Sequence, residues 1–168
     1  HLVRIQVGAT KLAFTQLPAD STVVDKGDEV VSAKVFIRQP IVAAQDAYGN
    51  VDRDFSESVT LSLASGPGAL SGVLVRSFVS GLADFSGSDL AYAATADGEA
   101  FTLRADDQAG GVDLDAATVP LSADVIATRL VFAKQPSPLT DPSANFAADS
   151  VIVEAQSAQG LRDADYRS

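Results

Sequence analysis

The chain contains no cysteine, methionine or tryptophan, and its one histidine is its first residue, His1. Without cysteine, no disulfide, zinc–thiolate site or cysteine nucleophile can form. With histidine confined to His1, no serine–histidine or cysteine–histidine pair and no histidine-based metal site can be assembled. No Gly-x-Ser-x-Gly elbow, phosphate-binding glycine loop or dinucleotide fingerprint occurs either. Ser65-Gly66-Pro67-Gly68 lacks the lysine and the following helix that a phosphate cradle needs, and reads as a loop. These absences predict a chain that is not an enzyme. No apolar run reaches the roughly eighteen residues of a membrane span, so no membrane insertion is expected in this piece.

Basic residues are scarce as well. Lysine and arginine number 12 against 22 acids, for a net charge of −10, and lysine occurs only at Lys11, Lys26, Lys34 and Lys134. Such a surface has no electrostatic footprint for a phosphate backbone, so nucleic acid is excluded as a partner. The same field repels an anionic membrane. Most of the acids are aspartates, which suit either a surface exposed to salt and divalent cations or an abundance of turns. The absence of thiols fits an extracellular or cell-surface fibre with nothing to mispair or oxidise. With His1 in place of an initiating methionine, any export signal is expected outside this piece.

What is present is β-forming sequence. Hydrophobic residues at 46% and charged residues at 20% mark a globular chain, and 168 residues allow one full domain with a remnant. Runs rich in Val, Leu, Phe and Thr alternate with Gly, Pro, Asp and Ser clusters. They predict strands near 11–16, 30–37, 41–46, 58–64, 73–79, 82–86, 100–105 and 114–122. Period-two alternation in Val59-Thr60-Leu61-Ser62-Leu63 and Phe101-Thr102-Leu103-Arg104 gives each strand one buried and one wet face. The predicted core is Leu12, Phe14, Val59, Leu61, Leu63, Phe85, Phe101 and Leu103, contributed by two sheets. No segment keeps a helical period; the Ala-rich stretch 88–96 is short and uncapped. The expected fold class is all-β.

Internal repetition is the most informative feature. Thr10-Lys11-Leu12-Ala13-Phe14-Thr15-Gln16 recurs as Thr128-Arg129-Leu130-Val131-Phe132-Ala133-Lys134, at an offset of 118. Ile41-Val42-Ala43-Ala44-Gln45 recurs as Ile152-Val153-Glu154-Ala155-Gln156, at an offset of 111. The difference is a loop indel around Val24–Val31. The chain is therefore expected to comprise the last strand of a preceding module (1–9), a complete module (10–126) and a truncated first part of the next (127–168). A third of a sandwich cannot bury its own core, so the polypeptide is expected to continue beyond Ser168. The short apolar joint at Ile126-Ala127 favours a semi-rigid rod.

Several of these segments carry a resemblance. They are Thr10–Pro18, Ala44-Gln45-Asp46-Ala47-Tyr48-Gly49-Asn50, Ser58–Leu63, Gly81-Leu82-Ala83-Asp84-Phe85-Ser86 and Ala100–Ala105. Together they are similar to the bacterial Ig-like tandem repeats of large surface proteins and adhesins, of the invasin and intimin kind. The resemblance covers nearly all of 10–126 and restarts in the second copy. It implies immunoglobulin-like β-sandwich modules in tandem, a structural spacer or stalk role at the cell surface, and neighbouring modules of the same chain as partners. An adhesion module for a host, cell or glycan ligand is the alternative, as is an accessory domain of a larger extracellular enzyme. Two departures stand out: 25–38 is long and apolar, and Ser157-Ala158-Gln159-Gly160-Leu161 replaces Asp-Ala-Tyr-Gly-Asn in the second copy.

The sharpest chemical possibility is calcium. Asp46, Asn50, Asp52 and Asp54 crowd one loop with Glu57 nearby, and supply hard oxygen ligands. The loop is not an EF-hand, since Phe55 and Leu61 stand where that motif needs its glycine and last carboxylate. The same residues also serve as turn formers, with Asp52 and Asp54 solvated. Asp106-Asp107 and Asp113/Asp115 flank Gly110-Gly111 and read as a solvated hairpin rather than an acid–base pair. For a Lys–Asn or Lys–Asp isopeptide crosslink, Lys11, Lys34 and many aspartates are present, but only Asn50 and Asn145 could supply an amide. Tyr48, Tyr92 and Tyr166 are the only polar aromatics for a glycan platform.

Overall fold

Strict alternation builds the first unit of this molecule. In β4 (Ser58–Ser65) Val59 and Leu61 are buried while Thr60 and Ser62 are half-exposed; in β9 (Glu99–Asp107) Phe101, Leu103 and Ala105 are buried and Ala100 is exposed. The two strands pair antiparallel with Leu61 opposite Ala105 and Leu63 opposite Leu103, so their apolar residues share one face. The computed structural model describes residues 6–19, 30–107, 113–135 and 151–166. Among them there is no helix, and hence none long and apolar enough to cross a membrane. The chain divides into two compact units, His1–Asp124 and Val125–Ser168.

In the first unit β10 (Ala117–Asp124) lies antiparallel on β9, β6 (Val75–Ser77) antiparallel on β4, and β2 (Val30–Val31) parallel to the end of β10. The sheet order is β2-β10-β9-β4-β6. A second sheet, β1-β3-β7, joins Lys11–Gln16, Ile41–Gln45 and Leu82–Asp84, all antiparallel. A small pair, β5 (Ala69–Ser71) with β8 (Ala91–Ala93), completes the unit. Leu12, Val42, Ala44 and Ala83 from the three-stranded sheet join Val59, Leu61, Phe101, Leu103, Ala105 and Val119 from the five-stranded one in a single core. The fold is thus all-β with several sheets, compatible with a β-sandwich.

Six of the eight predicted core residues are buried: Leu12, Val59, Leu61, Phe85, Phe101 and Leu103. Phe14 and Leu63 are partly buried against them. The run 30–37 is not one strand. After Val31 the chain turns at Ala33, which has φ 59°, and Val35 and Ile37 are left exposed. The run 73–79 contracts to β6, and its end forms a two-residue hairpin in which Ser80 (φ 52°) and Gly81 (φ 76°) link Val79 to Leu82. Two positive φ values in sequence match the twist of the flanking chain. Strands β5 and β8 carry no run long enough to show alternation, and sequence reasoning missed them. The Gly110-Gly111 hairpin and residues 1–5 of the expected preceding strand lie outside the described residues; 6–10 form no strand.

A buried polar network sits within this core. Tyr92 is fully buried, stacks on Phe101 at 3.8 Å with planes 10° apart, and accepts a hydrogen bond from Gly68 N–H at 3.0 Å. Its hydroxyl donates to Glu99 Oε1, while Glu99 Oε2 accepts from Thr95 N–H at 2.7 Å and from Ala96 N–H at 3.2 Å. Burial alone would raise the Glu99 carboxyl, but the hydrogen bonds from Thr95, Tyr92 and Ala96 outweigh it and hold it below the usual range. Burial and then the Glu99 bond push the Tyr92 phenol up to about 12.

Two outcomes follow for stability. Phe101→Ala should cost about 3–5 kcal/mol in chemical denaturation, and Phe14→Ala clearly less, because only Phe101 is fully enclosed. For pH, the depressed Glu99 contributes stability above about pH 4.3 that is lost as pH falls through its folded value. The raised Tyr92 contributes fully below about pH 10 and loses its share as pH rises toward 12. Melting across pH should show both limbs, with Glu99→Gln flattening the acid limb and Tyr92→Phe the alkaline one.

Candidate functional site

The loop after β3 holds the aspartates singled out by sequence, and its geometry is that of a closed turn. Asp46 Oδ1 accepts from Tyr48 N–H at 2.9 Å and from Asn50 N–H at 2.8 Å, and Oδ2 accepts from Asn50 Nδ2 at 2.9 Å. The bond from the Asn50 side chain, with the Asn50, Tyr48 and Gly49 N–H groups behind it, holds the Asp46 carboxyl below the ordinary range. Gly49 takes φ 90°, a left-handed conformation that costs a residue without a Cβ little. Asp52 Oδ2 accepts from Ala9 N–H at 3.0 Å and Oδ1 from Asp54 N–H at 3.1 Å. Asp52 thereby ties the segment entering β1 to the loop leaving β3.

The carboxylates of Asp46, Asp52 and Asp54 do not gather into a cluster with one oxygen each within 4.8 Å of the others. Asp46 accepts three hydrogen bonds here and Asp52 two, which occupies part of the lone-pair capacity a cation would draw on. Asn50, the one described amide proposed for a crosslink, is engaged with Asp46; Asn145 lies outside the described residues. Of the acids near residue 110, Asp106 pairs with Arg104 at 2.8 Å and Asp107 accepts from Leu114 N–H at 3.2 Å. Tyr48 is 91% exposed at the loop tip, Tyr166 half-exposed, and Tyr92 belongs to the core.

The second unit repeats the backbone bonds of this arrangement and part of its side-chain bonds. In it β11 (Arg129–Lys134) and β12 (Ile152–Gln156) pair with Leu130 opposite Ala155, Phe132 opposite Val153, and a bulge before Lys134 opposite Ile152. In β1 and β3 the corresponding pairs are Leu12 with Ala44, Phe14 with Val42, and a bulge before Gln16 opposite Ile41. Asp46 N–H donates to Asn50 O and Asp52 N–H to Ala44 O; Ser157 N–H donates to Leu161 O and Asp163 N–H to Ala155 O. Ala127 N–H donates to Asp163 Oδ2 at 2.8 Å as Ala9 does to Asp52, and Gly160 takes φ 85°. Ser157 Oγ accepts from Leu161 N–H at 3.3 Å where Asp46 accepts from Asn50. A hydroxyl does the turn-forming work of the carboxylate.

No family model matches the chain, and no curated protein matches it significantly. The internal correspondence is therefore the comparison that bears on function.

The arrangement makes backbone and side-chain clamps and brings no nucleophile and base together. Sequence reasoning found the loop and its twin but not the role of Asp52, whose partner Ala9 is 43 residues away. If these aspartates form turns, melting the chain in excess EDTA, in millimolar calcium and in magnesium at matched ionic strength should give equal midpoints. Asp46→Ala and Asp52→Ala should each lower the midpoint equally in all three. A midpoint raised by calcium alone, and abolished by Asp46→Ala, would establish a calcium site instead.

Proposed function

We propose that this chain is a non-catalytic structural spacer, built from immunoglobulin-like β-sandwich modules in tandem within an extracellular, cell-surface protein. The observation that carries the reading is the recurrence of one bulged strand pair and its loop, with the same backbone hydrogen bonds, at offsets of 118 and 111. A polypeptide that repeats one structural unit gains length, not chemistry. The strand arrangement supports the sandwich. One sheet takes the first, third and seventh strands, and the other takes the fourth, ninth and tenth with the short sixth strand on the fourth and a short parallel strand at the opposite edge. An immunoglobulin domain divides its strands between an ABED and a CFG sheet, and the grouping of the first, third and seventh strands against the fourth, ninth and tenth supports that reading. A histidine-poor, cysteine-free and acidic composition agrees with a surface role without turnover.

A second reading is adhesion, favoured by the exposed Tyr48 ring at the tip of the 46–50 turn. It takes a host or glycan ligand rather than mechanical load as the partner.

Pulling the chain by its ends in single-molecule force spectroscopy tests the spacer. The first unit should rupture in one step and release about 40 nm of contour, at roughly 3.5 Å for each residue from β1 to β10. Gradual extension without a rupture peak would sink the spacer reading. Binding to a glycan panel that Tyr48→Ala abolishes would move the assignment to adhesion.

A further inference from the structure

Two parts of the first unit that complete its β1–β3 pair have no counterpart among the described residues of the second. On the outer edge of β3 lies β7, with Ala43 opposite Leu82 and Val42 opposite Ala83. Ala44 N–H donates to Gly81 O at 3.0 Å and Phe85 N–H to Pro40 O at 3.1 Å. The apolar face of the pair is closed by the five-stranded sheet. In the second unit the outer edge of β12 pairs with no strand among the described residues. The face is open as well: Leu130, Phe132 and Val153 are 65%, 57% and 49% exposed, where Leu12 and Val42 are 4% and 0%.

From this we infer that the outer edge of β12 is a strand-accepting site for an extended segment of Gly-Leu-Ala-Asp-Phe chemistry, bound antiparallel. The occupant is identified by what holds the equivalent edge. Gly81 packs so closely on the returning loop that a Cβ there would stand 2.2 Å from Asp52 O and 2.7 Å from Val51 Cγ1. The same loop returns in the second unit, through the bridge of Gln156 to Arg162 and the bond from Asp163 N–H to Ala155 O. An incoming strand must therefore present glycine opposite Ala155. Two residues on, Ala83 is fully buried over Val42, and Phe85 enters the core. Their counterparts would cover Val153 and the open apolar face, while the leucine and aspartate point away from it.

The site itself has the form such a segment needs. A shallow depression of about 240 Å³ runs beside β12, lined by Ile152, Val153, Glu154, Arg162, Asp163 and Tyr166. Asp163 Oδ1, buried in that lining, has no hydrogen-bond donor, whereas its counterpart Asp52 Oδ1 accepts from Asp54 N–H. An unpaired strand edge beside bare apolar surface is the setting for strand addition: backbone bonds supply affinity and alternate side chains supply specificity. The inference stands apart from the spacer reading, since an edge that takes this strand does so whatever load the chain bears.

Disulfide trapping tests it on the full chain, which has no cysteine of its own. Glu154 corresponds to Ala43, whose partner Leu82 lies between hydrogen-bonded positions, where opposite Cα atoms come close enough for a disulfide. The Glu154→Cys chain is mixed under mild oxidant with millimolar peptide of the sequence 79–86 carrying Leu82→Cys. Adduct should form at least tenfold more than with the peptide carrying Asp84→Cys, two positions out of register on the same face. Adding Gly81→Val to the in-register peptide should abolish the preference. Equal yields at both positions, indifference to Gly81→Val, or no adduct would overturn the inference. So would disulfide dimers of the chain that the peptide does not suppress, because the edge would then belong to a second copy.

Discussion

An antiparallel pair of strands satisfies one edge of each strand and leaves the other edges and one apolar face to be dealt with by something else. The first unit solves most of that problem for β1 and β3, with a single bridge from Lys11 to Asp115 on the outer edge of β1. Strand β7 takes the free edge of β3, and the five-stranded sheet closes over Leu12, Val42 and Ala44. The remaining features follow from this closure. The Ser80-Gly81 turn is tight because the chain must cross from one sheet to the other and dock on β3 at once. Gly81 is needed because the docking brings two backbones into contact at the loop after β3. Among the described residues of the second unit the pair is present and the closure is not, so the same sequence pattern gives buried residues in one place and exposed ones in the other.

The polar residues in the first unit divide by the same logic. Asp46 accepts from N–H groups that the turn after β3 would otherwise leave without partners, and Asp52 does the same for Ala9 N–H ahead of β1. Glu99 and Tyr92 do this inside the core, where a carboxylate is tolerated only because donors surround it. The replacement of Asp46 by Ser157 in the second loop keeps the bond to the residue four positions on and drops a charge. A turn tolerates that exchange, because what it requires is an acceptor, not a ligand set.

Much of the fold was legible in the sequence where burial has a period. Val59-Thr60-Leu61 and Phe101-Thr102-Leu103 announce strands because each is wet on one side, and the match of Lys11–Gln16 to Arg129–Lys134 needs no coordinates. Short strands were not legible. Ala69–Ser71 and Ala91–Ala93 are three residues each, and Tyr92 is buried by Phe101 and Gly68, none of which is near in sequence. The run 30–37 misled because it is apolar without being one strand: the turn at Ala33 breaks it, and beyond the turn Val35 makes only an isolated bridge to Ala91 while Phe36 N–H bonds Leu90 O. The candidate loop was found by its aspartates, but the sequence counts oxygens and not the donors that occupy them.

The sequence by itself determined that the chain is β-forming, acidic, without thiols, with His1 as its one histidine, and internally repeated, since composition, periodicity and spacing are local properties. Only the tertiary structure decided that the aspartates near residue 50 close a turn and clamp Ala9. It alone placed a glycine at residue 81 beneath a neighbouring backbone. It alone left the outer edge of β12 without a partner strand among the described residues. Each of these depends on which distant backbone arrives at a given atom, and that is fixed by packing between sheets rather than by the residues on either side.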